Sequence, residues 1–109
     1  MDEQSRRRHA RLTVRAPADG EGVTLALGGE LDIAGVTELE RPLAEVLARE
    51  PQPLQLDLSE LAFLDSSGVS VLVRLANHFG SVRTRSATEP VRRVIQVLGL
   101  ADRLGLREA

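Results

Sequence analysis

Residues 56–76, LDLSELAFLDSSGVSVLVRLA, decide how the rest of the chain is read. Leu54, Leu56 and Leu58 alternate with polar residues, the period of a strand with one buried face. An apolar patch, Leu61 to Leu64, comes next, then Asp65-Ser66-Ser67-Gly68. Behind it Val69, Leu72, Val73, Ala76 and Phe79 recur at helical spacing. The stretch is a strand-to-helix junction, with the strand expected over LQLDLSEL and the helix expected to close near Gly80.

Two readings of the serines are open on the residues alone. A serine at a helix start can accept a hydrogen bond from a free N–H group, worth ~1 kcal/mol. Asp65 would add favourable charge at the positive end of the helix, and Gly68 would allow close packing. One cap suffices, so this leaves the second serine unexplained. The same geometry also tolerates a phosphoserine, because a helix N-terminus favours phosphate. A phosphate of about −1.5 to −2 charges beside Asp65, with Asp32 close by, would repel a partner docked there.

Working outward, RLTVRA and the run Val23, Leu25, Leu27 both alternate. PADGEG between them supplies turn chemistry, so they read as a hairpin. The second strand ends at Gly28-Gly29-Glu30-Leu31-Asp32. Ile33, Val36, Leu39, Leu43, Val46 and Leu47 then follow helical spacing, with Pro42 expected to kink the helix or mark a break before it. SVRTRSA is a weaker fourth strand. Glu89-Pro90 opens a third helix with a buried face of Val91, Val94, Ile95 and Leu98, and LADRLGL is left as a short terminal helix or a turn.

The order β-β-α-β-α-β-α predicts an α/β domain of four to five strands in a mixed sheet, with helices packed mainly on one face. A helical crossover makes strands two and three parallel. Asp32 and Ser66 then face each other across the sheet edge where open α/β sheets place their sites.

Composition removes several classes of function. The 109 residues suit one domain, expected over 11–109 behind a disordered basic tail at 1–10. No run approaches the ~20 apolar residues of a membrane span, and MDEQSRRRHAR leads into no hydrophobic signal region. A cytoplasmic chain without membrane insertion is the expectation. There is no cysteine, and all 14 basic residues are arginine, so neither a cysteine-ligated metal nor a Walker lysine is present. No metal or cofactor site is read.

The net charge of −2 and the scarcity of aromatics, Phe63 and Phe79 alone, argue against nucleic-acid binding. Residues 19–65 carry eleven acids against Arg41 and Arg49, while 66–107 carry seven arginines against Glu89 and Asp102. That segregation suits a polar protein partner as well as ordinary solvated faces. A serine nucleophile lacks both the Gly-x-Ser-x-Gly elbow and a base. His9 lies in the tail, and His78 is eleven residues beyond Ser67, ~16 Å along a helix, where it reads as a surface residue. An enzyme is not expected.

GGELDIAGVTELERPL, LDLSELAFLDSSGVSVLVRLA and PVRRVIQVLGLADRL together resemble the STAS domain, in particular bacterial anti-sigma-factor antagonists. The likeness covers nearly all of residues 12–106. It implies a STAS-like fold and a binding module that regulates transcription by partner switching. In that family the unphosphorylated antagonist holds an anti-sigma factor that is also a serine kinase. Phosphorylation of the first motif serine, here Ser66, releases it, and a PP2C-type phosphatase restores it. The resemblance places Asp32, Asp65, Ser66, Ser67, Gly68 and Val69 at the partner-binding edge. Gly68-Val69-Ser70 replaces the family's usual Gly-Leu-Gly. The alternative within the family is a constitutive binding or scaffold subunit of a transport or signalling complex, without a phosphoswitch.

Overall fold

The computed structural model describes residues 7–16 and 20–107. Its elements are β1 (Arg11–Arg15), β2 (Val23–Leu31), α1 (Ile33–Glu38), α2 (Glu40–Leu47), β3 (Leu54–Leu64), α3 (Ser66–Phe79), β4 (Val82–Ala87) and α4 (Glu89–Val97). The four strands lie in chain order; β1 pairs antiparallel with β2, and the β2–β3 and β3–β4 pairs are parallel. The hairpin and the parallel crossover are as expected, although Pro17, Ala18 and Asp19 of the expected turn lie outside the described residues.

The helices cover the sheet face that carries Leu25, Leu27, Leu54, Leu56 and Leu58, all essentially without exposure. Each such leucine contributes about 1.5–3 kcal/mol on leaving water. The opposite face is polar and open, with Arg11 paired to Glu60 at 3.1 Å and Arg15 to Asp57 at 3.8 Å.

Strand β3 continues to Leu64, three residues beyond the expected end. Its buried leucines step 54, 56, 58, 61, 64, and each three-residue step is a β-bulge. Ala26 faces Asp57 but Gly28 faces Glu60; Gly29 faces Leu61 but Glu30 faces Phe63. At the first bulge the Asp57 carboxylate accepts the Ser59 N–H at 3.0 Å and the Ser59 hydroxyl at 2.6 Å. The extra residues return a leucine to the core each time, so the strand reaches the site without losing its buried face.

The break expected before Pro42 is present, and the buried faces read from spacing are corrected by packing. The first helix is two, broken at Leu39, with Pro42 in the opening turn of α2, where its missing N–H costs nothing. Ile33, placed on the buried face by spacing, is 71% exposed. On α3 the buried stripe is Gly68, Val71, Leu72, Leu75, Ala76 and Phe79, while Val69 and Val73 are only partly covered. On α4 Val91 and Ile95 are buried, Val94 partly, and Leu98 is exposed. Residues 101–105 form turns instead of a terminal helix. They set Leu104 and Leu106 into the core, and the Thr84 hydroxyl donates to the Leu104 carbonyl at 2.7 Å.

Candidate docking edge

Strands β2 and β3 finish in register, Leu31 opposite Leu64, and each is followed by an aspartate. The residues that continue from them are alike: Leu31-Asp32-Ile33-Ala34-Gly35-Val36 and Leu64-Asp65-Ser66-Ser67-Gly68-Val69. Each aspartate caps the helix it precedes. Asp32 Oδ1 accepts the Gly35 N–H at 2.8 Å; Asp65 Oδ1 accepts the Ser67 N–H at 2.8 Å and the Gly68 N–H at 3.3 Å. Both caps have extended backbone, as a cap requires.

The glycine of each repeat is the buried position. A Cβ on Gly68 would stand 2.3 Å from the Leu31 carbonyl oxygen and 2.9 Å from the Leu64 Cβ, so only glycine lets α3 start against the end of β2. Gly68, expected at the partner edge, therefore faces inward and serves the site by setting the position of the helix.

What the junction needs is the aspartate and the glycine; the two residues between them are left over. In the first repeat they are Ile33 and Ala34, both exposed. In the second they are Ser66, exposed, and Ser67, half-buried. Ser66 Oγ makes no hydrogen bond to any described residue. The cap that spacing alone could assign to a serine belongs to Asp65. Asp32, Asp65 and Ser66 thus meet on one edge, with Val69 behind them packed against the core.

The edge carries further groups that spacing did not reveal. Arg7 pairs with Asp32 at 2.6 Å and with Glu38 at 2.9 Å. Its hydrogen bond, and then that of the Gly35 N–H, hold the Asp32 carboxyl below the usual carboxylate range. Glu38 is pulled down to about 2 by the His9 ring, then Arg7 and the Ala10 N–H. The two carboxylates raise the Arg7 guanidinium in turn. Residues 7–10, expected in the tail, are therefore tied to this edge. Ile33 and Phe63, the latter 48% exposed, add apolar surface beside Asp32 and Asp65. A count of charged residues in a polar terminus gives no sign of Arg7's role, since its partners lie 25 and 31 residues away.

His78, at the far end of α3, is half-buried and not simply on the surface; its Nε2 sits 2.7 Å from the Arg49 carbonyl. Among the described residues no group of three or more metal-ligating side chains forms, and no helix is long and apolar enough to cross a membrane.

The chain and its fold match a known family. The family model described as "Mlab, STAS domain" matches residues 14–108. The chain belongs to the STAS-domain family. Its relatives there include the anti-sigma-F factor antagonist RsfB of Mycobacterium tuberculosis (strain H37Rv), 38% identical over 90 residues, spanning 76% of this chain and 71% of RsfB. An anti-sigma factor antagonist from Mycobacterium paratuberculosis superimposes with a TM-score of 0.72 at 25% identity, over 85% of this chain and 80% of that one. The anti-sigma factor antagonist SpoIIAA, in its unphosphorylated form, shares the fold with a TM-score of 0.61 at 23% identity, over 84% of each chain.

Proposed function

We propose that this chain is an anti-sigma-factor antagonist working as a phosphorylation-controlled binding module, not as an enzyme. In its unphosphorylated form it docks an anti-sigma factor with serine-kinase activity over the edge of Asp32, Asp65, Ser66, Ser67 and Val69. The kinase then transfers the γ-phosphoryl group of ATP to Ser66. The serine oxygen bonds to phosphorus, ADP leaves, and the hydroxyl proton passes to a base on the kinase. A PP2C-type phosphatase hydrolyses the ester and restores the binding form.

The observation that carries this reading is the repeated junction. The same Leu-Asp-x-x-Gly-Val frame stands twice, and in the second copy the exposed Ser66 hydroxyl has no hydrogen-bond partner among the described residues. A phosphate on Ser66 would lie in the first turn of a 14-residue helix, whose N-terminal field offsets part of its charge. The fold would therefore tolerate it, while a partner seated over Asp65 and Asp32 would meet added negative charge. The kinase partner is tested directly by incubating it with radiolabelled ATP and the purified chain. Label is expected in the wild type and absent from Ser66→Ala; equal labelling of both would contradict the assignment.

A further inference from the structure

Arg7 lies over the end of β2, on Asp32, Glu38 and the Glu30 carbonyl, the last at 3.4 Å. Its side chain is 15% exposed and that of Asp32 26% exposed, with Arg7 Nη2 seated on Asp32 Oδ1 at 2.6 Å. The residues around it extend the β1–β2 pairing. The Glu30 N–H donates to the Arg8 carbonyl at 3.0 Å, the Arg8 N–H to the Glu30 carboxylate at 3.2 Å, and the Ala10 N–H to Glu38 at 3.2 Å. Gly29, at φ +83°, permits this approach, since a Cβ there would sit 2.0 Å from the His9 carbonyl oxygen.

The attachment is almost wholly polar. Ala10 is the only apolar side chain in the segment, Arg8 and His9 are exposed, and β1 is an edge strand. Asp32, by contrast, is fixed without Arg7, because the same Oδ1 accepts the Gly35 N–H. Lifting the segment would leave the α1 cap intact and bare a carboxylate at the docking edge.

We propose that residues 7–10 form a displaceable arm that masks Asp32, so that a partner docking on this edge competes with Arg7 for that carboxylate. The inference rests on the docking reading above. It deepens it by making affinity depend on a contact within the free protein.

Two measurements on the full chain test it. In hydrogen exchange, the Glu30 and Ala10 amides should exchange faster than the β2–β3 ladder, and faster still in Arg7→Gln or at high salt. Protection equal to that of the ladder would overturn a displaceable arm. In titrations against the serine-kinase anti-sigma factor, Arg7→Gln should bind at least about threefold more tightly than wild type, the scale of a partly exposed ion pair, with Arg7→Lys between them. Unchanged or weaker binding by Arg7→Gln would overturn the masking while leaving the docking reading in place. If neither wild type nor variant binds, the docking reading fails and the masking falls with it.

Discussion

Asp32 and Asp65 stand one residue past a register pair, Leu31 and Leu64, at the ends of adjacent parallel strands. Each caps a helix through its Oδ1, so two helix starts and two carboxylates share one sheet edge. Parallel pairing makes this placement automatic once both strands end together. The bulges of β3 are what let an eleven-residue strand end level with the nine-residue β2.

Ser66 should be separable from the fold. Asp65→Ala removes the cap of α3 and should cost ~1 kcal/mol in urea unfolding. Ser66→Ala removes a hydroxyl with no described partner and should stay within about 0.5 kcal/mol of wild type. The reverse ranking would make the serine structural.

Gly68→Ala should destabilise by about 1–3 kcal/mol, because the new methyl meets a backbone carbonyl that moves only with the end of β2. Thermal or urea melts decide this, and a neutral result would contradict the close approach of α3 to Leu31.

Binding should follow the charge at residue 66. Ser66→Ala should hold the anti-sigma factor with wild-type affinity and stay bound when ATP is supplied. Ser66→Glu should bind at least about tenfold more weakly, a loss of ~1.4 kcal/mol. Calorimetric titration of the three forms would show it, and equal affinities would rule out an electrostatic switch.

The arm should respond to acid in a defined window. Glu38 titrates at about 2 in the folded chain against an ordinary 4.5. The folded value is the lower one, so its contribution to holding the arm is complete above pH 4.5 and is lost as pH falls from 4.5 through about 2. Asp32 shifts in the same direction. The NMR signal of the Ala10 amide, which donates to Glu38, should move with a midpoint well below 4.5; a midpoint at the ordinary carboxylate value would contradict the contacts.

Much of this was legible from spacing, and each exception has its own physical reason. Hydrophobic spacing starts the α3 stripe at Val69, yet the buried series 68, 71, 72, 75, 76, 79 begins at Gly68. Hydrophobic periodicity assigns no weight to a glycine, although a residue without a side chain is the one that can sit closest to a sheet. Gly35 and Ile33 repeat the lesson in α1: the glycine is inside and the isoleucine outside. The leucine steps of three at 58–61–64 carry the bulges in plain view, but only a partner strand shows that they are bulges and not the end of a strand. The Arg7 contacts are long-range and polar, and no local pattern encodes them. The Asp-Ser-Ser-Gly stretch stands out in the sequence, while the pairing of its frame with Leu31-Asp32-Ile33-Ala34-Gly35-Val36 becomes evident only when the ends of β2 and β3 lie side by side.

The most direct test is the intact mass of the chain purified from its native cells, with site mapping before and after phosphatase treatment. The account predicts a fraction heavier by one phosphate, mapped to Ser66 and removed by the phosphatase. A chain that stays unmodified at Ser66 across growth and stress conditions would contradict the switch and favour a constitutive STAS scaffold.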